Sequence, residues 1–219
     1  MKISVIIPTL NAAQFLPATL AALGAVEEKL VVDGGSTDGT ADVAKAAGAR
    51  LIATPRGRGG QMAAGIAAAG QEWLLLLHAD TRLAPGWRAE ALTHMREHPG
   101  AAGYFRFALD SADPRARRLE RLVAWRCRVL ALPYGDQALL IHRDMLADAG
   151  GMKPLVLMED VDLIRRLGRR RLIALNAHAL TSAVKWERDG WYRRSLRNLF
   201  CLSSWYCGVS PERIARLYR

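Results

Sequence analysis

The chain lacks paired cysteines and long apolar segments, and each absence argues against a class of protein. Its 219 residues include only Cys127, Cys201 and Cys207, and no two of them form a CxxC pair. An odd number without such pairs argues against a disulfide framework and favours a reduced, cytosolic compartment. No stretch reaches the roughly 18 apolar residues of a transmembrane helix. The first apolar run is short and broken by Pro8, so it is a poor signal peptide and a good first strand.

Acidic residues are scarce relative to basic ones. The chain has 31 lysine and arginine residues against 21 aspartate and glutamate residues, which leaves a formal net charge of +10. Such an excess suits polyanionic partners, namely nucleic acid, nucleotide phosphates or an anionic membrane surface. Internal repeats and low-complexity linkers are also missing. With 51% hydrophobic residues the chain can bury a substantial core, and its length fits one domain.

Short apolar runs alternate with helical patterns through the first half. The runs are KISVIIP, KLVVD, ARLIA and EWLLLLH, and a helical segment follows each of them. This order predicts an α/β fold with a mostly parallel sheet covered by helices on both faces. In the first helical segment Asn11 is placed as the N-cap, and Pro17 should bend or shorten the helix. The second half mixes strands such as GYFRFAL with helices and closes on the basic amphipathic helix GWYRRSLRNLF.

Polar residues, glycines or a proline lie at the end of each of the four predicted strands. In strand order they are Pro8, Thr9 and Asn11, then Asp33 and Gly34, then Arg58 and Gly59, then His78 and Asp80. Ligands of open parallel sheets bind beyond the carboxyl ends of the strands. We therefore expect one cleft that offers a carboxylate, exposed backbone N–H groups, an arginine and a His-x-Asp pair.

Each of these groups also has a purely structural explanation. Asp33 could cap a turn, a lone histidine such as His78 is commonly a core residue, and Asp80 could cap the next turn through Thr81. The GRGG loop matches neither the GxxxxGK[ST] nor the GxGxxG spacing of phosphate-binding loops. The prediction of a site therefore depends on the coincidence of these groups at one edge of the sheet.

Five segments resemble, in order and spacing, those of family 2 glycosyltransferases with the GT-A fold. They are SVIIPTLN, VVDGGSTDGT, GRGGQMAAG, LLLLHADT and MEDVDLIRRL. The most specific is VVDGGSTDGT, which resembles the family's D-(D/G)-x-S-x-D-x-T turn. The resemblance covers roughly residues 1–171, and the tail looks like that of a small bacterial subgroup. It implies an inverting transferase that moves a sugar from a UDP- or GDP-sugar to an acceptor, which is a sugar, a lipid or a polyprenyl phosphate.

The resemblance also assigns roles to single residues. Those expected at the nucleotide are Pro8, Thr9, Asn11, Asp33, Gly34, Arg58 and Gly59. Asp160 would be the catalytic base for the acceptor hydroxyl, and we expect Glu159 and Asp136 to bind substrate. The alternative for Glu159 and Asp160 is that they only favour a helix N-terminus electrostatically, and both explanations can hold together.

The segment His78-Ala79-Asp80 would occupy the family's D-x-D position. There, carboxylates at the end of a buried strand would hold Mg²⁺ or Mn²⁺ on the diphosphate, since hard divalent ions prefer oxygen ligands. This sequence departs from that pattern because His78 replaces the first carboxylate, and imidazole tolerates Mn²⁺ better than Mg²⁺. Asp80 is therefore the expected metal ligand, while His78 binds metal, contacts phosphate or packs in the core.

The resemblance implies a single domain over 1–219. Within it we expect a nucleotide-sugar-binding half at about 1–100, an acceptor half at about 101–180 and a helical tail at about 181–219. The tail places apolar residues on one side of a helix and arginines on the other. The apolar residues are Tyr192, Leu196, Leu199 and Phe200, and the arginines are Arg193, Arg194 and Arg197. This pattern suits docking on the domain or contact with an anionic bilayer, so we expect a cytoplasmic protein that is peripheral at the inner face of the membrane.

Two other functions compete with glycosyl transfer. A nucleotidyltransferase of similar sheet architecture would need a phosphate-loop signature near the N-terminus, and PTLNAAQF is not one. A non-enzymatic module that binds membrane or nucleic acid would account for the net charge, but not for acidic groups at the strand ends. We therefore expect no nucleic-acid partner.

Overall fold

The computed structural model describes residues 1–218, with side chains up to residue 217. The strands are β1 (Ile3–Thr9), β2 (Glu28–Asp33), β3 (Arg50–Ala53), β4 (Trp73–Leu76), β5 (Thr81–Leu83), β6 (Ala102–Asp110), β7 (Leu139–His142) and β8 (Leu172–Ser182). The helices are α1 (Leu16–Leu23), α2 (Thr40–Ala46), α3 (Arg58–Ala68), α4 (Trp87–Glu97), α5 (Pro114–Leu130), α6 (Arg143–Asp148), α7 (Glu159–Leu167), α8 (Val184–Asp189), α9 (Trp191–Tyr206) and α10 (Pro211–Tyr218). Short 3-10 turns cover Gly135–Gln137 and Arg169–Arg171.

The described strands form one sheet in the order β3-β2-β1-β4-β7-β6-β8-β5. The first four are parallel, whereas β7 is antiparallel to both β4 and β6, and β5 is antiparallel to β8. This confirms the predicted parallel sheet of the first half and the mixed character of the second. The chain moves outward from β1 through β2 to β3 and then returns to place β4 on the other side of β1. Loops at such a reversal separate and leave a crevice at the carboxyl ends of the two central strands.

The run of four leucines is buried on both faces of the sheet, as predicted. Leu74 and Leu76 pack into the core under α3, α5 and α7, while Leu75 and Leu77 pack into the core under α1, α2 and α4. Each of the four is at most 5% exposed. The apolar run ends where the chain leaves the sheet, at the carboxyl end of β4. His78 and Asp80 follow directly after it.

Helix α3 packs directly on the sheet at one glycine, Gly65. A Cβ at Gly65 would lie 2.4 Å from Cγ2 of Ile6 and 2.9 Å from Cγ2 of Val32. Any larger residue would push the helix away from β1 and β2. The close approach holds Arg58, the first residue of α3, beside the carboxyl ends of those strands.

The predicted N-cap at Asn11 is wrong. Helix α1 begins at Leu16, and Pro17 sits in its first turn, where no backbone N–H is needed. Asn11 has a left-handed backbone with φ of 50° and links two loops instead. The backbone N–H of Asn11 donates to Oγ of Ser36 at 2.8 Å, and its side-chain Oδ1 accepts from the backbone N–H of Thr37 at 2.9 Å. The expected shortening at Pro17 is confirmed, since α1 has only eight residues.

The tail forms the predicted amphipathic helix α9, but Arg194 and Arg197 on its polar side face the domain, whereas Arg193 is exposed. Arg194 is 6% exposed, and Asp189 accepts hydrogen bonds from Arg194 at 2.8 Å and from Arg197 at 2.7 Å. The apolar residues point outward, with exposures of 56–67%; they are Tyr192, Leu196, Leu199 and Phe200. No helix within residues 1–218 is long and apolar enough to cross a membrane.

Candidate active site

Two adjoining cavities lie at the carboxyl edge of the central strands. The strand-end cavity is lined by Pro8, Thr9, Leu10, Asn11, Ala12, Phe15, Arg56, Gly57, Arg58, Gln61, His78, Ala79, Asp80, Val156, Leu157 and Lys185. The helix-side cavity is lined by Arg58, His78, Asp80, Tyr134, Asp136, Leu157, Met158, Asp160, Val161, Thr181, Lys185, Trp186, Arg194, Asn198 and Cys201. Arg58, His78, Asp80, Leu157 and Lys185 belong to both. These five residues form the junction between the two cavities.

The structure gathers most of the predicted site residues here, but not all of them. Pro8, Thr9 and Asn11 line the strand-end cavity, Asp136 and Asp160 line the helix-side cavity, and Arg58, His78 and Asp80 line both. Asp33, Gly34, Gly59 and Glu159 line neither of the two. Asp33, Gly34 and Gly59 lie behind the walls, and Glu159 lines a smaller neighbouring cavity together with His78 and Asp160.

Asp33 closes the turn after β2 with both oxygens of its carboxylate. Oδ2 accepts from the amides of Gly35 and Ser36 at 3.0 and 2.8 Å. Oδ1 accepts from the hydroxyl of Thr9 at 3.0 Å and from that of Ser36. Burial alone would raise the pKa of Asp33, but these hydrogen bonds outweigh it and lower the pKa. The ionised side chain therefore shapes the turn, and its contact with a nucleotide base stays a prediction.

Gln61 holds the floor of the strand-end cavity, a role that sequence reasoning missed. From the buried face of α3 its Nε2 donates to the carbonyl oxygens of Thr9 at 2.7 Å and Val32 at 2.8 Å. A Cβ at Gly34 would lie 3.1 Å from the same amide group, so glycine leaves room for it. The ends of β1 and β2 are thus fixed to α3 without any ligand.

Gly59 allows the loop before α7 to cross the start of α3. A Cβ there would lie 2.5 Å from the carbonyl oxygen of Lys153 and 2.6 Å from that of Leu155. The Gly59 amide donates to the Leu155 carbonyl at 3.2 Å. The crossing brings Arg58 to Glu159, where Nε of the guanidinium donates to Oε1 of the buried carboxylate. The predicted contact of Gly59 with the nucleotide stays a prediction.

Asp160 meets His78 across Gly135. Oδ2 of Asp160 accepts from the Gly135 amide at 2.7 Å, and Oδ1 accepts from the Val161 amide at 2.8 Å. A Cβ at Gly135 would lie 2.5 Å from Nε2 of His78 and 3.1 Å from Oδ2 of Asp160. A side chain at this position would force His78 to shift, so glycine accommodates the close approach, and its position in YGDQ carries no local signal that would have identified it.

Asp160 and His78 differ in charge. Burial would raise the pKa of Asp160, but the Arg58 guanidinium and the Gly135 amide outweigh burial and lower it. Burial and the same guanidinium lower the pKa of His78 to about 4. At neutral pH the site therefore contains an ionised Asp160 carboxylate beside a neutral imidazole.

The pKa of Asp136 is shifted in the opposite direction to that of Asp160. Burial raises its pKa to about 6, and the charges of Asp160 and Asp80 act in the same direction against Arg126. Its Oδ1 is buried and has no hydrogen-bond partner among the described residues. Two carboxylates whose environments push their pKa values apart are typical of acid–base sites.

Asp80 faces a lysine that no sequence motif identified. Nζ of Lys185, the second residue of α8, donates to Oδ2 of Asp80 at 2.8 Å. Burial would raise the pKa of Asp80, but the ammonium group outweighs burial and lowers it. Within residues 1–218 no three His, Cys, Asp or Glu side chains form a group that could hold a metal ion. The expected metal has two candidate ligands, His78 and Asp80, and one is already paired with a cation. This donor set does not form a metal site by itself.

Comparison with known proteins identifies the class of this chain. The model of the family described as "Glycosyl transferase family 2" matches residues 4–153, which is more than half of the chain. The chain therefore belongs to that family. The matched region contains the strand-end loops and His78-Ala79-Asp80, and it ends before Asp160 and Lys185.

Two curated relatives agree with this assignment over part of their length. An uncharacterized glycosyltransferase of Mycobacterium tuberculosis is 41% identical over 85 residues, which cover 38% of this chain and 39% of the relative. A PGL/p-HBAD biosynthesis glycosyltransferase of Mycobacterium bovis is 43% identical over 91 residues, which cover 36% of each chain. The match thus spans less than half of these relatives.

Solved structures share the GT-A fold. TarS of S. aureus, residues 1–349, has a TM-score of 0.68 at 16% identity, over 100% of this chain and 69% of that one. Glucosyl-3-phosphoglycerate synthase of Mycobacterium tuberculosis, solved with Mn²⁺, UDP-glucose and glycerol 3-phosphate, has a TM-score of 0.56 at 21% identity, over 79% and 69%. At these identities the likeness concerns the fold alone. The predicted α/β sheet of GT-A type is confirmed.

Proposed function

We propose that this chain is a glycosyltransferase that moves a sugar from a UDP- or GDP-sugar to an acceptor hydroxyl, with inversion at the anomeric carbon. The observation that carries the proposal is the junction of the two cavities. Two cationic side chains, Arg58 and Lys185, lie at that junction, and the ionised Asp160 lines the cavity on one side of it. This arrangement has a place for an anionic leaving group next to a base.

The donor occupies the strand-end cavity in this proposal. Its nucleoside lies against Pro8, Thr9 and Asn11, and its diphosphate reaches Arg58 at the junction. The floor is held by Gln61 and the Asp33 turn, so the pocket exists before the donor binds. Support comes from TarS of S. aureus, which has been solved with UDP-GlcNAc and has a TM-score of 0.65 at 18% identity, over 83% of this chain and 59% of that one.

The acceptor occupies the helix-side cavity, where Asp160 accepts the proton of its hydroxyl group. The acceptor oxygen forms a bond to the anomeric carbon as the bond from that carbon to the diphosphate breaks. The nucleoside diphosphate leaves with the electron pair. General-base catalysis of this kind contributes about 10²–10⁴ in rate. Asp136, with its raised pKa, is placed to hydrogen-bond the acceptor, and Glu159 acts indirectly by holding Arg58.

The divalent metal expected from the sequence stays a prediction for Asp80 and His78. In its favour, the mycobacterial synthase has been solved with Mn²⁺ together with UDP-glucose. Against it, the Asp80 carboxylate is already paired with the ammonium group of Lys185 in this chain. Activity after exhaustive dialysis against a chelator tests the prediction, because full activity would reject a metal requirement.

A thermal-shift screen of UDP, GDP and their common sugars tests the proposed donor, followed by an assay of transfer or donor hydrolysis. A ligand at 100 times its dissociation constant adds about 2.7 kcal/mol to the free energy of unfolding. We expect one base to stabilise the protein and its sugar conjugate to be consumed. If no nucleotide or nucleotide-sugar stabilises the protein, the proposed donor class is wrong.

The acceptor is lipid-linked in this proposal, because the tail turns an apolar surface outward. Helix α9 exposes four large apolar side chains, and α5 exposes Leu122, Trp125, Val129 and Leu130. The two helices meet near their N-terminal ends, where the Arg115 guanidinium lies 5.8 Å from the ring centroid of Trp191. Exposed arginines surround the apolar residues of α5; they are Arg115, Arg117, Arg118, Arg121 and Arg128. Apolar residues with a basic surround fit an anionic bilayer surface.

A further inference from the structure

Lys185 reaches the junction of the two cavities from a part of the chain beyond the matched family region. Its ammonium group lies 2.8 Å from Oδ2 of Asp80, across 105 positions of sequence. The lysine side chain is 50% exposed, whereas that of Asp80 is only 16% exposed. The cation thus lies at the open end of a mostly buried carboxylate, with room around it.

The position of Lys185 is set by the fold. The amide of Ser182, the last residue of β8, donates to the carbonyl oxygen of Asp80 at 2.9 Å. Two residues later α8 begins, and its Trp186 is buried against Phe107 with ring centroids 6.4 Å apart. The helix that carries Lys185 is therefore anchored on both sides of that residue. From this position the Lys185 side chain reaches Asp80, just beyond the end of β4.

Of the described cations that line the strand-end cavity, Lys185 has the greatest freedom to serve a ligand at the junction. Arg58 also reaches the junction, but its guanidinium is bonded to the buried Glu159. Arg56 lines the strand-end cavity alone. A flexible ammonium can turn from Asp80 to a phosphate oxygen by side-chain rotation, and it acts as a compact positive charge when it does so.

We infer that Lys185 binds the diphosphate of the donor and supplies positive charge to the departing nucleoside diphosphate at the place where the sequence predicts a divalent metal. The inference rests on the proposed function. Asp80 then serves as the group that holds the ammonium in place before the donor arrives. An ammonium paired with Asp80 also competes with a metal ion for the same oxygen atoms, which is why the ion pair and a metal requirement oppose each other.

Calorimetry in the presence of EDTA tests this inference with UDP, GDP and the matching nucleosides as probes. Wild type should bind one of the diphosphates without metal. Lys185→Ala should bind that diphosphate at least about tenfold more weakly, the scale of a lost charge-assisted hydrogen bond, while Lys185→Arg stays within a few-fold. Nucleoside affinity should be equal in all variants, since the nucleoside does not reach Lys185, and equal affinity also shows that the variants are folded.

Lys153→Ala is the matched control. Lys153 is 49% exposed and bonded to Asp162 at 3.1 Å, so its removal deletes the same charge and a similar ion pair. It lines neither cavity, and the variant should bind like wild type.

Added Mn²⁺ sharpens the test, because Lys185→Ala leaves the Asp80 carboxylate without its ammonium. We expect Mn²⁺ to raise diphosphate affinity more in Lys185→Ala than in wild type. Equal diphosphate affinity of wild type and Lys185→Ala in EDTA would overturn the inference, as would wild-type binding that requires Mn²⁺. If wild type binds no nucleoside diphosphate with or without Mn²⁺, the proposed function itself fails and the inference fails with it.

Discussion

The two cavities are built in different ways. The strand-end cavity is lined mainly by loops of the first half, together with Val156, Leu157 and Lys185. The polar groups that hold its floor, the Asp33 carboxylate and the Gln61 amide, already have partners within the protein. The helix-side cavity brings together carboxylates from distant elements whose pKa values diverge, with a buried Asp136 oxygen that has no described partner. The comparison indicates that the first cavity is preorganised for binding. The second contains the groups that can exchange protons.

The largest effect should come from Asp160→Asn, which preserves size and removes basicity from the helix-side cavity. Turnover should fall by at least about a hundredfold. Donor affinity should barely change, because the donor binds in the other cavity. Steady-state kinetics together with donor calorimetry check both halves of the expectation. Near-normal turnover would falsify the assignment of Asp160 as the base.

Glu159→Gln is the control for that prediction. Glu159 is buried beside Arg58, so its amide variant should lower the melting temperature and reduce turnover less than Asp160→Asn does. If turnover collapses in folded Glu159→Gln but not in Asp160→Asn, the catalytic base is Glu159 and not Asp160.

A pH-dependent stability should follow from the raised pKa of Asp136. Its pKa is about 6 in the folded protein against 3.8 for an unperturbed group. The unfolded chain therefore loses this proton at lower pH than the folded chain, and the contribution of the protonated form is lost as pH rises from about 4 to 6. The loss is at most about 3 kcal/mol. Urea unfolding should show wild type losing stability relative to Asp136→Asn across that window, and a constant difference between the two would contradict the raised pKa.

A smaller effect, a loss of nucleotide affinity, is expected when Asp33 beneath the strand-end cavity is replaced. Asp33→Ala removes the charged acceptor of the turn, and nucleotide affinity should fall by about 1.5–3 kcal/mol, the scale for hydrogen bonds to a charged group. Calorimetry with the preferred nucleoside diphosphate measures it. Asp42→Ala is the control, because it removes the same charge from the exposed first turn of α2. Unchanged affinity in folded Asp33→Ala would restrict Asp33 to a structural role.

The weakest effect is expected at the outward face of α9. Leu196→Glu with Leu199→Glu should reduce binding to vesicles of phosphatidylcholine and phosphatidylglycerol by about tenfold, because two exposed apolar side chains are lost. Vesicle flotation at low salt measures it, and binding should weaken as salt rises. Ala18→Glu with Ala21→Glu adds the same charges to α1 on the opposite face of the sheet and should not change flotation. Absence of wild-type flotation would reject the membrane contact.

The fold of the first half was predictable because its signals are local. Apolar runs such as Leu74–Leu77 specify buried strands, and the polar residue types after each run mark the strand ends. Parallel strands joined by helices then bring those ends to one edge of the sheet. The start of α1 was mispredicted because Asn11 pairs with Ser36 and Thr37 of another loop, and that competition is invisible in the helix's own sequence.

By itself the sequence determined the family, the parallel strands β1 to β4 and the edge of the sheet at which the candidate site lies, since each of these follows from local pattern. Tertiary structure alone decided which charges meet there. Arg58 pairs with Glu159 across 101 positions, and Lys185 pairs with Asp80 across 105. Helical periodicity likewise grouped the arginines and the apolar residues of α9, but only the tertiary structure decided that Arg194 and Arg197 turn inward to Asp189 while Arg193 stays exposed. Such contacts depend on how the sheet and its connecting segments close in space, and no nearby residue encodes that closure.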